Sequence, residues 1–239
     1  MSYSERINSV KSDIDALVTY ANETTGEADA SISDAVDSLV SGYGGGGLEN
    51  EIIARSISGG YNNTDITYAG SYALNSCNDL TSIDFPNVTS VGSYVFANCS
   101  NLTSINLPKL STCGSNLLQN CSKLKSANTP LLQVVQNWSF SGCSKLETLD
   151  FKVCTRIGTG SLQTCNSLTK LILRNASTVC SYMSNISSYD PTNSDLKIYV
   201  PSALLESYKV ATNWTRLADK FVALEDYTVD GTTTGEILA

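Results

Sequence analysis

Between residues 77 and 186 the apolar positions return on a fixed beat. The stretch "CNDLTSIDFPNVTSVGSYVFAN" (Cys77–Asn98) places Cys77, Leu80, Ile83, Phe85, Val88, Val91, Val95 and Phe96 among Asn, Asp, Ser and Thr. The same spacing restarts at Cys99, Cys121, Cys143 and Cys165, giving five consecutive 22-residue units without insertion or deletion as far as Ile186. Ile83 and Phe85 lie two residues apart, so both fall on one face of a short strand and turn inward. Pro86, Pro108 and Pro130 then end that strand where no ladder donor is needed. A repeat period of about 20 to 29 residues is the signature of a leucine-rich solenoid, one coil per period. A lone coil buries too little to offset the entropy of ordering itself, so stability has to come from stacking parallel strands side by side. Upstream, "DITYAGSYALNS" (Asp65–Ser76) matches only the back half of the unit and predicts a partial leading coil.

The beat stops at both ends. In "KIYVPSALLESYKVATNWTRLADKFVAL", Pro201 suits a first helical turn, and Ala203, Leu204, Tyr208 and Ala211 keep helical spacing ahead of Trp214, Leu217 and Phe221. This predicts a C-terminal helical cap over the last coil, whose core and strand edge would otherwise lie open. At the other end Ile7, Val10, Ile14, Leu17 and Ala21 alternate spacings of three and four, the seam of a coiled coil or helical hairpin. A second helical pattern follows in "SISDAVDSLVSGY", with Ser31 and Asp34 placed to cap its start. The expected fold class is therefore α+β, a leucine-rich repeat solenoid of 22-residue repeats and parallel strands with a short N-terminal helical segment. Its expected parts are a two-helix oligomerisation or docking segment (1–43), a flexible Gly-rich linker (44–50), the solenoid (51–190), the cap (191–224) and a tail or hairpin (225–239).

Charge narrows the partners. Fifteen Lys and Arg against 23 Asp and Glu give a net charge of -8, which repels nucleic-acid phosphates and anionic lipid headgroups. No apolar run is long enough to insert in a bilayer, and "MSYSERINSV" lacks the basic and apolar regions of a secretory signal. Of the eight cysteines, five form the repeat column; Cys113, Cys154 and Cys180 replace Val91, Val88 and Gly92 in their own units. All but Cys180 fall in inward columns, where free cysteine acts as a small buried hydrophobe. Pairs of the C-x2-C kind and histidine are both missing, so no metal and no cofactor is expected.

The units C-x-x-L-T-S-I-x-x-P-x-V-T-S-V-G-S-Y-x-F resemble the BspA-like leucine-rich repeats of bacterial and bacteriophage surface proteins, over about Ile66 to Ile186. The strand, proline, helix and tryptophan order downstream is similar to the tails of phage-type members. The two-helix segment, with Gly26 between its helices, is similar to N-terminal segments of tail-associated phage and prophage proteins. The resemblance implies a non-enzymatic adhesive or structural component of a phage tail, assembled in the host cytoplasm and carried in the virion. Its partners would be a host surface glycan or protein, and other tail proteins through the N-terminal helices. Ile and Val at the seam are compatible with three strands, so a homo-trimer is the expected assembly. A bacterial interaction protein that binds a protein partner is the alternative.

Catalysis has little to work with. Without histidine, hydrolysis would need paired carboxylates, yet Asp84 and Asp150 share a column three coils apart, about 14 Å by strand spacing. "DPTNSD" (190–195) lacks the ligand spacing of a calcium loop. Two surfaces are candidates for binding. One column holds Tyr72, Tyr94, Asn116, Trp138, Gly160 and Tyr182, one residue before the inward pair and so facing outward, where aromatic rings with polar tips suit a ligand. The second is the outward strand face, Ser82, Ser104, Ser126, Thr148, Lys170 beside Asp84, Asn106, Asn128, Asp150, Ile172, small and polar.

Overall fold

The architecture is that of a computed structural model, which describes residues 47–48, 58–184, 186–224, 228–229 and 232–233. A parallel sheet of eight strands runs along the molecule, in the order Gly59–Asn62, Leu80–Asp84, Ser104–Asn106, Ser126–Asn128, Thr148–Phe151, Lys170–Leu173, Lys197–Val200, Phe221–Ala223. Two-residue strands stack behind it in a set of four (Gly47–Leu48, Tyr68–Ala69, Ser90–Val91, Thr112–Cys113) and a set of three (Val134–Val135, Arg156–Ile157, Ser181–Tyr182). The pairing follows the repeat: Ser82 lies opposite Ser104, Ser104 opposite Ser126, and Thr148 opposite Lys170. Leu80, Ile83, Phe85, Val88, Val95 and Phe96 and their counterparts fill one continuous core.

The cysteine column does more than fill space. Cys99, Cys121, Cys143 and Cys165 each donate Sγ–H to a backbone carbonyl of the preceding coil, at Leu74, Phe96, Leu118 and Phe140, over 3.0 to 3.2 Å. At Leu74, Leu118 and Phe140 the same carbonyl also accepts a backbone N–H, so the thiol supplies a buried corner carbonyl with a further donor. Burial pushes the Cys165 thiol up to about 12 and the Cys113 thiol up to about 11, so both stay protonated.

The leading coil and the first four units each turn back through two left-handed residues. One column is Tyr72, Tyr94, Asn116, Trp138 and Gly160, with φ between 59° and 68°; the other is Ser76, Asn98, Asn120, Gly142 and Thr164. Asn and Gly adopt this conformation readily, whereas other residues lose roughly 1 kcal/mol or more each. The turns are held by hydrogen bonds to the next coil, such as Tyr72 N–H to Ser93 O at 2.9 Å and Leu74 N–H to Val95 O at 2.9 Å. Coils approach closely beside them: a Cβ on Gly92 would lie 2.4 Å from the Ser71 amide nitrogen.

The fifth unit departs from the strict period. Its back strand pairs Tyr182 with Ile157, 25 residues on, and its front strand Lys170 is followed by Lys197, 27 residues on. Three extra residues therefore enter before the back strand and two after it. Met183 rather than Cys180 takes the place of Gly158, as its N–H bonds Ile157 O where Gly158 N–H bonds Val135 O. Cys180, expected outside the inward columns, is fully buried. Ile172 is also buried, although its column faces outward elsewhere, because Tyr199 of the next strand lies beside it in the ladder.

The C-terminal segment packs on this last coil. Short 3-10 turns at Ser202–Leu204 and Thr215–Lys220 flank an α-helix at Leu205–Val210. Phe221, expected within the helical cap, opens the strand Phe221–Ala223, which adds to Lys197–Val200 and so continues the sheet. At the other end the front strand Gly59–Asn62 completes the leading coil, of which only the back half was expected. Gly47–Leu48, within the stretch expected to be a flexible linker, pairs in parallel with Tyr68–Ala69. Thr228–Val229 and Thr232–Thr233 form an antiparallel hairpin. The expected helices of 1–43 lie outside the described residues.

Candidate ligand-binding surfaces

The outward strand face is a built surface. Side chains at alternate strand positions line up coil on coil, so one residue type repeats along the axis at strand spacing, ~4.8 Å. Asn106 Nδ2 donates to Asp84 Oδ1 at 2.7 Å, and Asn128 Nδ2 donates to Asn106 Oδ1 at 2.6 Å, a ladder that fixes three polar ends in one orientation. The ladder stops there, because Ser126–Asn128 is joined to Thr148–Phe151 only through the pair Ser126 and Thr148. Asp150 turns the other way and takes a bidentate pair from Arg174, Nε at 2.8 Å and Nη2 at 2.6 Å. The Arg174 side chain is 7% exposed, so its charge depends on this partner.

Across this face lies an open hollow of about 720 Å³, lined by eight of the ten expected strand-face residues, Ser82, Asp84, Ser104, Asn106, Ser126, Asn128, Thr148 and Asp150, but not by Lys170 or Ile172. Ala127 contributes to its lining at the position where neighbouring coils have Ile105 and Leu149, so the wall is cut back there. Lys125 and Glu147 also line it. These two were missed from sequence because their column holds Thr81, Thr103 and Thr169 in the other coils, two of which hydrogen-bond the preceding coil. The hollow has the size of a small-ligand site and a polar, mixed-charge lining.

The aromatic column is less regular than its spacing implied. Tyr72 and Tyr94 do stack, with ring centroids 4.9 Å apart and planes within 4°, and Tyr72 is 46% exposed. Asn116 then interrupts, buried, with Nδ2 donating to Gln119 Oε1 at 2.9 Å. The Trp138 ring lies against Gly160 of the next coil, where a Cβ would meet it at 2.4 Å. Tyr182 is not part of the column at all. The three extra residues shift it into the inward column of Ile157, where it is 2% exposed and stacks on Trp214 at 4.5 Å. Burial and the nearby Asp190 carboxylate push its phenol well up, and Asp190 itself is clamped by Arg216 at 2.7 Å. Among the described residues no group of three or more metal-type side chains comes together, and no helix is long and apolar enough to cross a membrane.

A stacked series of short coils, each one strand, one turn and one back strand, defines a leucine-rich repeat scaffold. The chain belongs to the family described as BspA type Leucine rich repeat region, whose model matches residues 65–189 in 6 copies. No curated protein matches the chain. Among solved structures it is similar to a leucine-rich repeat protein of T. pallidum, at 17% identity and TM-score 0.37, covering 59% of this chain and 57% of that one. It is also similar to the pneumococcal vaccine antigen PcpA, at 18% identity and TM-score 0.43, covering 72% and 42%. A leucine-rich cell surface protein of Faecalibacterium prausnitzii matches at 19% identity and TM-score 0.38, covering 69% and 45%. The chain thus spans about half the length of these structures.

Proposed function

We propose that this chain is a non-enzymatic adhesive scaffold of a phage or prophage tail, which holds a polar ligand of a host surface against the strand face. The observation that carries the binding surface is the hollow, lined by the same small polar columns over four successive coils. Amide and carboxylate groups fixed in a ladder lose little freedom on binding, which favours a ligand rich in hydroxyls, such as a surface glycan. In this reading residues 1–43 dock the chain on other tail proteins or assemble it as a homo-trimer, the C-terminal segment caps the last coil, and the protein resides in the virion.

A second reading, a bacterial interaction protein with a protein partner, draws on the charges of Lys125, Glu147, Asp84 and Asp150 around the hollow, which suit a charged polypeptide. Screening the full chain against immobilised bacterial glycans and against host surface proteins separates the two. Saturable binding to glycans supports the first reading; binding to proteins alone replaces it with the second; binding to neither refutes both. Light scattering on the full chain and on one lacking residues 1–47 tests the assembly role, which fails if both are monomers.

A further inference from the structure

The eight cysteines are not equivalent. In the repeat column, Cys99, Cys121, Cys143 and Cys165 commit their thiols to carbonyls. Cys154 and Cys180 differ in that they also face each other, with Sγ atoms 3.7 Å apart, both buried; besides this contact Cys154 Sγ–H reaches Arg156 O at 3.3 Å and Cys180 Sγ–H reaches Ser181 O at 3.9 Å. The extra residues of the fifth coil create this meeting: Ser181 lies opposite Arg156, so Cys180 stands diagonally across from Cys154 on the adjacent coil. Adjacent strands are ~4.8 Å apart, within the Cα range of a disulfide. Bringing the sulfurs to bonding distance takes about 1.6 Å of travel, which rotation of two side chains can supply.

We propose that Cys154 and Cys180 are an oxidisable pair that closes to a disulfide on exposure to peroxide and pins the last coil to the one before it. The C-terminal segment is held on Cys180 itself: Cys180 N–H donates to Tyr208 Oη at 2.8 Å, and Trp214 Nε1–H donates to Cys180 O at 2.7 Å. The bond would therefore fasten that segment as well.

The chemistry has a direction. Contact with Cys180 holds the Cys154 thiol below its ordinary range, while the same contact and burial push Cys180 up; either sulfur can donate across this contact, and in this proposal Cys154 is the one that ionises. Its thiolate attacks one peroxide oxygen; the O–O bond breaks, hydroxide leaves and Cys154 becomes a sulfenic acid. The Cys180 sulfur then attacks the Cys154 sulfur, the S–S bond forms and the S–O bond breaks, releasing a second hydroxide. With the two thiol protons the products are one disulfide and two waters, the pair losing two electrons to the peroxide. Cys99 and Cys121 also influence each other, but their thiols are held across the coils by carbonyls at 3.1 and 3.0 Å, whereas the Cys154 and Cys180 thiols reach only carbonyls one or two residues along their own chain, at 3.3 and 3.9 Å.

Trypsin makes the test clean, because the fragments 153–156 and 175–197 each carry one cysteine. The full chain is treated with hydrogen peroxide, its remaining thiols are alkylated under denaturing conditions, and it is digested without reductant. The expected result is a linked pair of these two fragments, lighter by two hydrogens than their sum, with the column cysteines alkylated. Oxidation should also raise the melting temperature of the wild type and not that of Cys154→Ala. Finding both fragments alkylated, or a Cys99–Cys121 link in place of theirs, overturns the proposal. A link that forms without any rise in melting temperature overturns the pinning role. This inference holds whichever ligand the strand face takes.

Discussion

Replacing Trp214 probes how the solenoid ends. The indole is fully buried, stacks on Tyr182 with centroids 4.5 Å apart, meets Tyr208 and Phe221 at 6.1 and 5.5 Å, and donates Nε1–H to Cys180 O. Trp214→Ala removes the ring from a packed site, a change that costs ~3–5 kcal/mol. Trp214→Phe keeps most of the stacking and removes the donor, leaving the buried Cys180 carbonyl without it, for ~1–3 kcal/mol. The two variants therefore separate packing from hydrogen bonding. Because a repeat array is stabilised by neighbour interfaces, the loss should appear first at this end. Urea denaturation followed by circular dichroism measures the total, and amide exchange shows where it falls. Faster exchange over 170–184 and 197–223, with 80–128 slow, is the expected pattern. If Trp214→Ala stays within about 0.5 kcal/mol of wild type, the range of an ordinary surface substitution, the reasoning is refuted.

Three further outcomes follow from the same contacts. The thiols of Cys113 and Cys165, raised by burial to about 11 and about 12, bind protons in the folded chain that the unfolded chain releases near pH 9, so stability is full below about pH 9 and falls as pH rises through 11 to 12; a series of urea midpoints measures it, and alanine at both positions should flatten the fall. Gly92→Ala forces a methyl to within 2.4 Å of the Ser71 backbone and should cost ~1–3 kcal/mol by thermal or urea melts, whereas Ser122→Ala, on an exposed turn, should stay within ~0.5. Asp150→Ala leaves Arg174 buried without its bidentate partner and should cost ~3 kcal/mol, while Glu206→Ala, which breaks the exposed pair with Lys209, should cost less than ~0.5 by the same melts.

What repeated was legible in the sequence. Leu80, Ile83, Phe85 and Cys77 could be placed inward because four further units say the same thing, and the strand-face columns of the candidate site follow from that register. What happened once was not. The extra residues of the fifth coil hide behind Cys180, which lies four 22-residue periods after Gly92 and looks like a column member, and so the spacing puts Tyr182 on the surface when it belongs to the core. The leading strand Gly59–Asn62 was unreadable because "GGYN" shares only the apolar Tyr61 with the strands it joins. Left-handed φ at Tyr94 and Trp138 could not be read from residue type, since bulky rings disfavour it. The thiol-to-carbonyl bonds were likewise invisible, because spacing shows that a cysteine turns inward and not what its hydrogen meets. Lys125 and Glu147 entered the hollow through a column whose other members are threonines.

The binding surface itself is tested most directly at Ser126. This side chain is exposed, borders the hollow and takes no part in the core, so Ser126→Trp fills the space while leaving the fold alone. The measurement is binding of the full chain to the glycan or protein found by the surface screen, with Tyr72→Ala as the companion variant for the stacked tyrosines. The account predicts at least a tenfold loss for Ser126→Trp, about 1.4 kcal/mol, with the melting temperature unchanged and Tyr72→Ala binding as wild type. Wild-type affinity in Ser126→Trp together with loss in Tyr72→Ala would contradict it and move the ligand to the tyrosine stack.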